Sequence, residues 1–419
     1  MTTTSIKISI IRLLLTFCIG ISAPGFTGKT TTVRVERHGS DCMVDPNCFN
    51  RIHQDIEMRA RAKPGDTIVF ETRNTADIDL AAEPLMGDSH GPPGSKVHPM
   101  TGPVYIEGTR SGDVLAIEIL KVEPGKHGFT LLHPIGFISD LFPVPHEIRW
   151  TLGKDWAESD ALPGVRIPNA GFPGIVTVLP AAELSKTIAR REAALFDAGG
   201  AAAPPEPVNA TPISLCGPAS DRKNECLRTF PPREHGGNLD IRYLGTGATL
   251  YLPCYQDGCG LAIGDVHYAQ GDGEVSGTAI EMDALVTVTT RVMKAGTTQG
   301  GIHYEGPSRL LEIPSKSFYA TTGYPIKRAG DVPPDLRYLE SKKIGALTNL
   351  SKDVSLAARN ALIAMIDYLT TTKGLTREQA YMLASVAVDL RIGQLVDAPN
   401  VVVSAVLPLD IFVEKARAD

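Results

Sequence analysis

The chain contains Val114-Leu-Ala-Ile-Glu-Ile-Leu120, a run whose apolar residues occupy both faces of an extended chain. A run of this kind is typical of a central β-strand that is buried on both sides. Shorter runs of strand-forming residues, bounded by glycine and proline turns, lie around it at residues 66–72, 103–107 and 175–179. We therefore predict a β-rich N-terminal domain over residues 25–200.

The second half of the chain combines strand patterns with the clearest helix patterns. Residues 284–293 alternate apolar with polar residues, as a half-buried strand does. Apolar residues recur at helical spacing over residues 356–369. Thr376 and Gln379 form a capping box, which predicts the start of another helix that ends near residue 391.

These patterns predict a mainly β or α+β fold with two β-rich regions, sandwich- or barrel-like, a few packed helices and a helical segment near the C-terminus. A helical pattern over residues 181–198 ends the first region. A proline-rich stretch follows, so we predict a linker or loop over residues 201–235. The C-terminal β-rich domain, which carries the main polar motif, then spans residues 236–419.

The composition of the 419-residue chain fits a folded protein and argues against two kinds of partner. Hydrophobic residues make up 43% and charged residues 21% of the chain. The formal net charge of −6 provides no basic excess to neutralise phosphates, so we expect no nucleic-acid partner. After residue 25, no stretch approaches the roughly 20 apolar residues that span a bilayer. Membrane contact is expected only through an export leader.

The N-terminus and the cysteines bear on cellular location. Residues 1–24 resemble a signal peptide, although Arg12 interrupts the apolar run, and a disordered leader is the alternative. A functional leader would make the protein periplasmic or secreted, and otherwise we expect it in the cytoplasm. Outside the leader, six cysteines form close sequence pairs that suit local disulfides or, alternatively, buried thiols. These pairs are Cys42/Cys48, Cys216/Cys226 and Cys254/Cys259.

The densest group of ionisable residues lies in the segment 264–274. Asp265 and His267 are two residues apart, so they share one face if the chain is a strand. Asp272 and Glu274 have the same spacing, and the intervening glycines allow a sharp turn between the two pairs. Carboxylate and imidazole ligands suit zinc or another divalent metal. The alternative is a glycine-rich hairpin with solvated carboxylates and a buried structural His267.

Two further segments carry candidate polar residues. Asn238 and Asp240 again share a face if their segment is a strand, and an Asx turn is the alternative. Ser89 lies in a Gly-x-Ser-x-Gly pattern and is followed by His90, with His98 nearby. A nucleophile elbow needs a helix directly after the serine, and the two prolines at residues 92 and 93 oppose a regular helix there.

Several of these segments together resemble the acetamidase/formamidase family of amide hydrolases. They are His98-Pro-Met-Thr-Gly-Pro-Val-Tyr-Ile-Glu-Gly108, Gly236-Gly-Asn-Leu-Asp240 and Ile263-Gly-Asp-Val-His-Tyr-Ala-Gln-Gly-Asp-Gly-Glu-Val-Ser-Gly-Thr-Ala-Ile-Glu281. The similarity continues in order to about residue 413. It implies hydrolysis of formamide, acetamide or similar amides to a carboxylate and ammonia. It also implies a homo-oligomer and a divalent metal, for which zinc is the expected ion.

Within these motifs we predict the following roles. Asp265 and His267, helped by Asp240, hold the metal, which activates a water molecule. Glu274 is the general base that passes the proton to ammonia. The remaining polar residues are assigned as follows: His98 stabilises the oxyanion, Asn238 binds the substrate amide, and Asp272 and His90 contact the substrate. Glu107 and Glu281 are expected to be structural.

Three other interpretations of the sequence predict different experimental results. A serine hydrolase would use Ser89 with His90 or His98. An exported binding module without catalysis would bind a ligand and release no ammonia. The same fold acting on another C–N substrate would hydrolyse a carbamate or a larger amide, because fold and motif do not fix the substrate.

Overall fold

The computed structural model describes residues 30–81, 95–132, 136–202, 204–297, 301–395 and 399–413. The predicted leader and the Ser89–His90 pair lie outside these residues. In the described part, the strands are β1 (Thr32–Val35), β2 (Cys48–Phe49), β3 (Ala60–Ala62), β4 (Thr67–Thr72), β5 (Met100–Ile106), β6 (Val114–Leu132), β7 (His146–Leu152), β8 (Trp156–Glu158), β9 (Ile167–Pro168), β10 (Phe172–Thr177), β11 (Gly236–Asn238), β12 (Thr249–Pro253), β13 (Cys259–His267), β14 (Glu281–Met293), β15 (His303–Glu305), β16 (Phe318–Gly323), β17 (Asp389–Gln394) and β18 (Val402–Pro408).

Helices are fewer and lie mostly in the C-terminal part. The α-helices are α1 (Ala182–Asp197), α2 (Ile213–Cys216), α3 (Ser341–Ala346), α4 (Val354–Lys373) and α5 (Arg377–Ala387). Short 3₁₀ turns occur at Ser139–Leu141, Lys223–Glu225, Ser308–Leu311, Pro334–Leu336 and Leu409–Ile411. The mainly β fold class predicted from the sequence is confirmed. Among the described helices, none is both long and apolar enough to cross a membrane.

Fifteen strands form one large sheet, and the apolar run at residues 114–120 lies in its interior. It begins β6, which pairs antiparallel with β14 along most of its length and also with β12 and β7. Ile117 and Ile119 are completely buried, as expected for a central strand. The strand continues well beyond residue 120, because irregularities in the β6–β14 register accommodate its proline and glycine.

Strands from both predicted β-rich regions meet in this sheet. The strand order along its main path is β11-β10-β13-β14-β6-β7-β8-β9, and β4 pairs with β14. The predicted linker region contains α2 and pairs with the N-terminal part through Ile52 and Leu227. The domain boundaries proposed from the sequence stay a prediction. The consequence for the site is that β10 and β13, from different sequence regions, lie side by side.

The C-terminal helices begin where the sequence predicts them. Asp353 caps α4, and the helix ends at Gly374 in the left-handed conformation, with a φ of 68°. The capping box of Thr376 and Gln379 starts α5. This helix ends at Ala387 rather than near residue 391, so that part of the prediction is wrong. Residues from Asp389 onward instead pair with β18 in a second, three-stranded sheet.

One hydrophobic core joins the large sheet to the C-terminal helices. It contains Leu362 and Met365 of α4, Leu383 of α5, and Val275 and Ile280 from the connection between β13 and β14. Tyr381 of α5 accepts a hydrogen bond from the Ile138 backbone at 2.9 Å and donates one to the Val275 carbonyl. Helix α5 therefore packs against the connection between β13 and β14, which contains the polar segment 270–274.

Candidate active site

Strand β13 brings the first two candidate ligands into the interior. All nine of its residues are buried, and it pairs with β10 on one side and with β5 and β14 elsewhere along its length. His267 lies opposite Glu281, the first residue of β14. Asp265 precedes it by two residues on the same strand. Strand pairing therefore places an imidazole and two carboxyl groups together in the protein interior, away from solvent.

The side chains of this cluster converge around His267. Its Nε2 atom lies 3.3 Å from Oε2 of Glu281 and 3.5 Å from Oδ2 of Asp265. Potential ligand atoms of Asp240, Asp265 and His267 lie within 4.8 Å of one another. The same holds for His267, Glu274 and Glu281. Four carboxyl groups thus surround one imidazole.

Three of the four carboxyl groups come from residues with an unusual backbone conformation. The φ angles of Asp240, Asp265 and Glu274 are 47°, 50° and 42°, in the left-handed region. For a residue with a side chain, this conformation costs about 1–2 kcal/mol. Such a cost at several residues of one polar cluster indicates a functional constraint.

Gly174 of β10 provides the space for the cluster. A Cβ atom at this position would lie 2.5 Å from Oδ1 of Asp240 and 2.7 Å from Cε1 of His267. The Gly174 carbonyl also accepts hydrogen bonds from the backbone N–H groups of Leu239 and Asp240, at 3.0 and 3.2 Å. Gly174 therefore both leaves room for Asp240 and positions its backbone.

Burial and mutual repulsion raise the pKa values of most carboxyl groups in the cluster. Burial raises the pKa of Asp240 and that of Glu281 to about 7. The pKa of Glu274 is raised well above its usual value by burial and then by the neighbouring Asp240. For His267, the Glu281 and Asp265 carboxylates outweigh burial and raise the pKa. The carboxyl groups of the site therefore do not all ionise readily beside a single histidine.

The pKa of Asp265 moves the other way. Burial opposes its ionisation, but the neighbouring His98 and His267 outweigh that effect and lower the pKa. Asp265 is therefore the carboxylate of the cluster that stays ionised most readily. His98 itself has a lowered pKa, chiefly because burial disfavours the imidazolium.

The donor set fits a divalent cation. Within the described residues, several buried polar atoms of the cluster have no hydrogen-bond partner. They are Oδ1 of Asp240, Oδ1 of Asp265, Nε2 of His267 and Oε2 of Glu281. Buried polar atoms are rarely left in this state unless an ion or water binds them. Carboxylate oxygens with one imidazole nitrogen are ligands that zinc and other first-row divalent ions accept.

Two other predicted site residues, His98 and Asn238, keep a partly exposed surface, although neighbouring atoms enclose the His98 ring enough to lower its pKa. The His98 backbone N–H donates to Thr229 Oγ1 at 3.0 Å, and its Nδ1 lies 3.1 Å from the same oxygen. Asn238 ends β11 opposite Ile175, two residues before Asp240. Its Oδ1 atom is buried and lacks a hydrogen-bond partner in the described part of the chain. Both side chains retain polar atoms for a ligand.

Asp272 contacts a different set of residues. Its carboxylate accepts a hydrogen bond from the Tyr243 hydroxyl, and its backbone N–H donates to Asp389 at 3.2 Å. Asp389 in turn pairs with Arg242. Asp272 belongs to neither group of potential metal ligands. Its predicted contact with substrate stays a prediction, as does that of His90.

Three residues around the cluster were not predicted to act there. Glu281 was expected to be structural, yet its carboxyl group faces His267. Gly174 and Gln270 received no role, although Gln270 lies in the same segment as His267, three residues later. The sequence alone shows that Gln270 follows His267 by three residues in one polar segment. It does not show the pairing of β13 with β10 and β14, which brings Gly174 and Glu281 to His267.

Comparison with known proteins shows which family this chain belongs to. The model of the Acetamidase/Formamidase family matches residues 35–414. This chain belongs to the acetamidase/formamidase family. The resemblance noted in the sequence is thereby confirmed, and every residue of the cluster lies inside the matched range.

Individual known proteins are similar to this chain over most of their length. A formamidase from Methylophilus methylotrophus is 30% identical over 91% of this chain and 93% of its own. An acetamidase from Mycolicibacterium smegmatis is 29% identical over 80% of this chain and 84% of its own. The solved structure of a gamma lactamase from Delftia acidovorans superposes with a TM-score of 0.79 at 28% identity, covering 91% of this chain and 93% of that one.

Proposed function

We propose that this protein hydrolyses short linear amides to a carboxylate and ammonia, using a divalent metal bound in the His267 cluster. Family membership and the formamidase and acetamidase relatives support amide hydrolysis. The convergence of unpartnered carboxylate and imidazole atoms in a buried cluster carries the metal proposal. We propose zinc as the ion because the set mixes carboxylates with an imidazole.

Asp265, His267 and Asp240 would hold the ion, with the Glu281 carboxyl group beside the same Nε2 atom of His267 as Asp265. A bound divalent ion supplies Lewis-acid polarisation and lowers the pKa of a coordinated water molecule. Asp265 suits this role because its carboxylate is the most readily ionised of the four. Gly174 keeps the space between Asp240 and His267 open.

Glu274 is our candidate for the proton carrier. Its carboxyl group lies with His267 and Glu281, and burial raises its pKa well above the usual value. A carboxylate with a raised pKa is a stronger base than an ordinary one. Glu274 would accept a proton from the attacking water and deliver it to the departing nitrogen. The charge of a bound cation would also lower the pKa of Glu274 and keep it ionised before attack.

His98 and Asn238 would bind the substrate's amide group. Thr229 Oγ1 accepts the His98 backbone N–H, and its hydroxyl hydrogen can be donated to Nδ1, which leaves the ring N–H on Nε2. That N–H would donate to the developing oxyanion. The unpartnered Oδ1 of Asn238 would accept a hydrogen bond from the substrate's NH₂ group.

The deciding experiment measures ammonia release from formamide, acetamide and propionamide by protein of known metal content. We expect activity that disappears on chelation and returns with zinc. Activity that survives complete metal removal would contradict the metal proposal but not amide hydrolysis. No ammonia from folded, metal-loaded protein would contradict amide hydrolysis and favour a binding module. Ser89→Ala should retain activity, and its inactivation would favour the serine mechanism.

Glu274→Gln tests the proton carrier, with Asp272→Asn as the matched control. Both changes neutralise a carboxyl group in the same turn, but only Glu274 lies with His267. We expect Glu274→Gln to lower kcat by about 10²–10⁴-fold with normal metal content. Asp272→Asn should change kcat much less, and an effect on KM instead would agree with the predicted contact between Asp272 and the substrate. Near-normal turnover of folded Glu274→Gln would show that another group carries the proton.

A cyclic amide is a second candidate substrate. The gamma lactamase structure has the same fold over nearly its whole length, which favours this test. Ring opening of a γ-lactam yields an amino acid rather than ammonia, so the product distinguishes the two reactions. Comparing kcat/KM for acetamide and a γ-lactam in one preparation would rank the substrates. A higher value for the lactam would replace the linear-amide assignment.

We also propose that the protein forms a homo-oligomer through the surface of residues 304–347. Leu311, Phe318 and Leu347 there are 59%, 62% and 54% exposed. Apolar side chains this exposed, and this frequent along one stretch of the chain, favour a protein contact. Light scattering should give an oligomer that Phe318→Asp dissociates and that Val44→Asp, an equally exposed control, leaves intact. A monomeric parent protein would refute this proposal.

Finally, we propose that the protein is exported. The leader pattern supports this location, and each of the six described cysteines lies in a disulfide with its neighbour in sequence. Expression with residues 1–24 should give periplasmic or secreted protein with a shortened N-terminus and no free thiol. Expression without them should give cytoplasmic protein. An uncleaved, cytoplasmic full-length chain would refute export.

A further inference from the structure

Gln270 connects two candidate ligands of the cluster. It is 5% exposed and lies in the segment that follows β13. Its Oε1 atom is 2.9 Å from Nδ1 of His267, and its Nε2 donates to the Asp240 carbonyl at 2.8 Å. One amide group therefore contacts the side chain of one proposed ligand and the backbone of another.

The two contacts determine which way the amide group faces. The Asp240 carbonyl oxygen only accepts hydrogen bonds, so the NH₂ group of Gln270 must lie on that side. Rotating the amide by 180° would place two acceptor oxygens against each other. Oε1 therefore faces His267, and because Oε1 only accepts, Nδ1 of His267 carries the hydrogen.

We infer that Gln270 is a positioning residue that holds His267 with its hydrogen on Nδ1 and its Nε2 lone pair directed at the metal position. The Nε2 atom is the one that lies among the carboxylates of Asp265 and Glu281 and lacks a hydrogen-bond partner of good geometry. Phe172 contacts the ring edge-to-face, with the centroids 5.0 Å apart, and limits its rotation. This inference rests on the proposed metal site.

The second hydrogen bond of Gln270 extends its effect to Asp240. The Asp240 backbone N–H donates to the Gly174 carbonyl, while its own carbonyl accepts from Gln270. The left-handed backbone of Asp240 is thus held on both sides. Removing the Gln270 amide would release the orientation of one ligand and loosen the backbone of another. Partners of this kind contribute about 10–100-fold to metal affinity in other proteins.

Two substitutions separate these effects. Gln270→Met keeps an unbranched side chain of similar length and removes both hydrogen bonds. Gln270→Glu keeps an acceptor for Nδ1–H, replaces the donor to Asp240 with a second oxygen and adds a negative charge. The matched control is Gln256→Met, because Gln256 also donates to a backbone carbonyl, that of Gln54, at 3.2 Å. Unchanged far-ultraviolet circular dichroism would show that each variant is folded.

The zinc dissociation constant, measured by competition with a chelator, is the first readout. We expect it to rise about 10–100-fold in Gln270→Met, to recover most of that loss in Gln270→Glu, and to stay unchanged in Gln256→Met. Equal affinity of Gln270→Met and the parent would overturn the inference. Equal losses in Gln270→Met and Gln270→Glu would also overturn it, because the acceptor for Nδ1–H would then have no effect.

Nitrogen-15 NMR of histidine-labelled protein is the second readout. It reports which ring nitrogen carries the hydrogen, which a merely structural role of Gln270 would not determine. In the zinc-loaded parent, His267 should show a protonated Nδ1 and a metal-bound Nε2. The reverse assignment would overturn the inference even if zinc binds. A parent protein that binds no divalent ion would refute the proposed metal site. In that metal-free protein, an Nδ1 of His267 without hydrogen would also contradict the role of Gln270.

Discussion

At Gly174, any added side chain would collide with the cluster. Gly174→Ala should place a methyl group 2.5 Å from the Asp240 carboxylate and displace it. We expect at least a tenfold loss of metal affinity and a larger loss of turnover, because ligand geometry and substrate position both change. Zinc content and kcat measured on the same folded sample check this expectation.

Gly345→Ala in α3 is the control for this substitution. A Cβ at Gly345 would meet its nearest neighbour at an ordinary distance of 3.7 Å. This variant should retain metal and turnover. If Gly174→Ala also retained both, the cluster would have to tolerate a shift of Asp240, and the assignment of Asp240 as a ligand would be wrong.

Glu281 and Glu107 offer a second test at the scale of the residue. Both end or begin strand-like runs, and both were expected to be structural. Glu281 is buried against His267, whereas Glu107 is half-buried near the end of β5. Glu281→Gln should weaken zinc binding about tenfold or more. Glu107→Gln should leave zinc affinity unchanged. If the two variants bind zinc equally well in a chelator competition, Glu281 has only a structural role.

The sequence predicted the identity of most cluster residues but not their number. Asp265, His267 and Glu274 could be found because they lie in one short polar segment whose residue types suit metal and acid–base chemistry. Asp240 could be found because it lies in a second motif of the family. Glu281 requires knowing that β14 pairs with β13 at His267, and such register depends on the whole sheet.

At the scale of elements, His235 links the turn before β11 to β10. It is completely buried, and its Nδ1 lies 2.9 Å from Thr177 Oγ1. Burial, reinforced by Arg233, lowers the pKa of His235 to about 3. In the unfolded chain the pKa is near 6.5, so acid protonates the unfolded state first. This group therefore stabilises the fold above pH 6.5 and loses that contribution as the pH falls toward 3.

The expected effect is measurable by urea denaturation at pH 7 and pH 5. Each pH unit below 6.5 costs about 1.4 kcal/mol from this group, which gives about 2 kcal/mol at pH 5. His235→Gln should lose less free energy of unfolding between the two pH values than the parent does. His146→Gln, a half-buried histidine of β7, serves as the control. An unchanged pH dependence in His235→Gln would show that His235 accepts a proton in the folded state.

The ends of elements were harder to predict than their existence. The capping box located the start of α5 because it acts within four residues. The end of α5 depends on distant partners instead: Asp389 pairs with Arg242 and accepts from the Asp272 backbone. These contacts draw the chain out of the helix after Ala387. Helical periodicity alone contains no sign of them.

At the scale of the molecule, the disulfides join residues only 6, 10 and 5 positions apart. Loops this short contribute about 2–3 kcal/mol each by the chain-entropy argument. Reduction should therefore lower the free energy of unfolding without exposing a separate domain. Denaturant titrations with and without reductant check this expectation. A Cys216→Ser/Cys226→Ser variant as stable as the parent would contradict it for that bridge.

The overall architecture was only partly accessible from the sequence. Strand patterns and helix caps predicted a mainly β fold, and the motifs indicated the family. The joining of both β-rich regions in one sheet could not be foreseen, because 81 residues lie between β10 and β13 and no local sequence pattern predicts their pairing. The active-site cluster forms where these distant parts meet.

The left-handed backbone at Asp240, Asp265 and Glu274 has a consequence for laboratory evolution. Glycine at position 240 or 274 would relieve both the backbone cost and the repulsion between carboxylates. Such variants should tolerate heat better than the metal-free parent while losing turnover. A library selected only for thermal tolerance would therefore enrich inactive proteins at these positions, as expected where stability and activity conflict. Directed evolution of this enzyme needs a selection for amide turnover in every round.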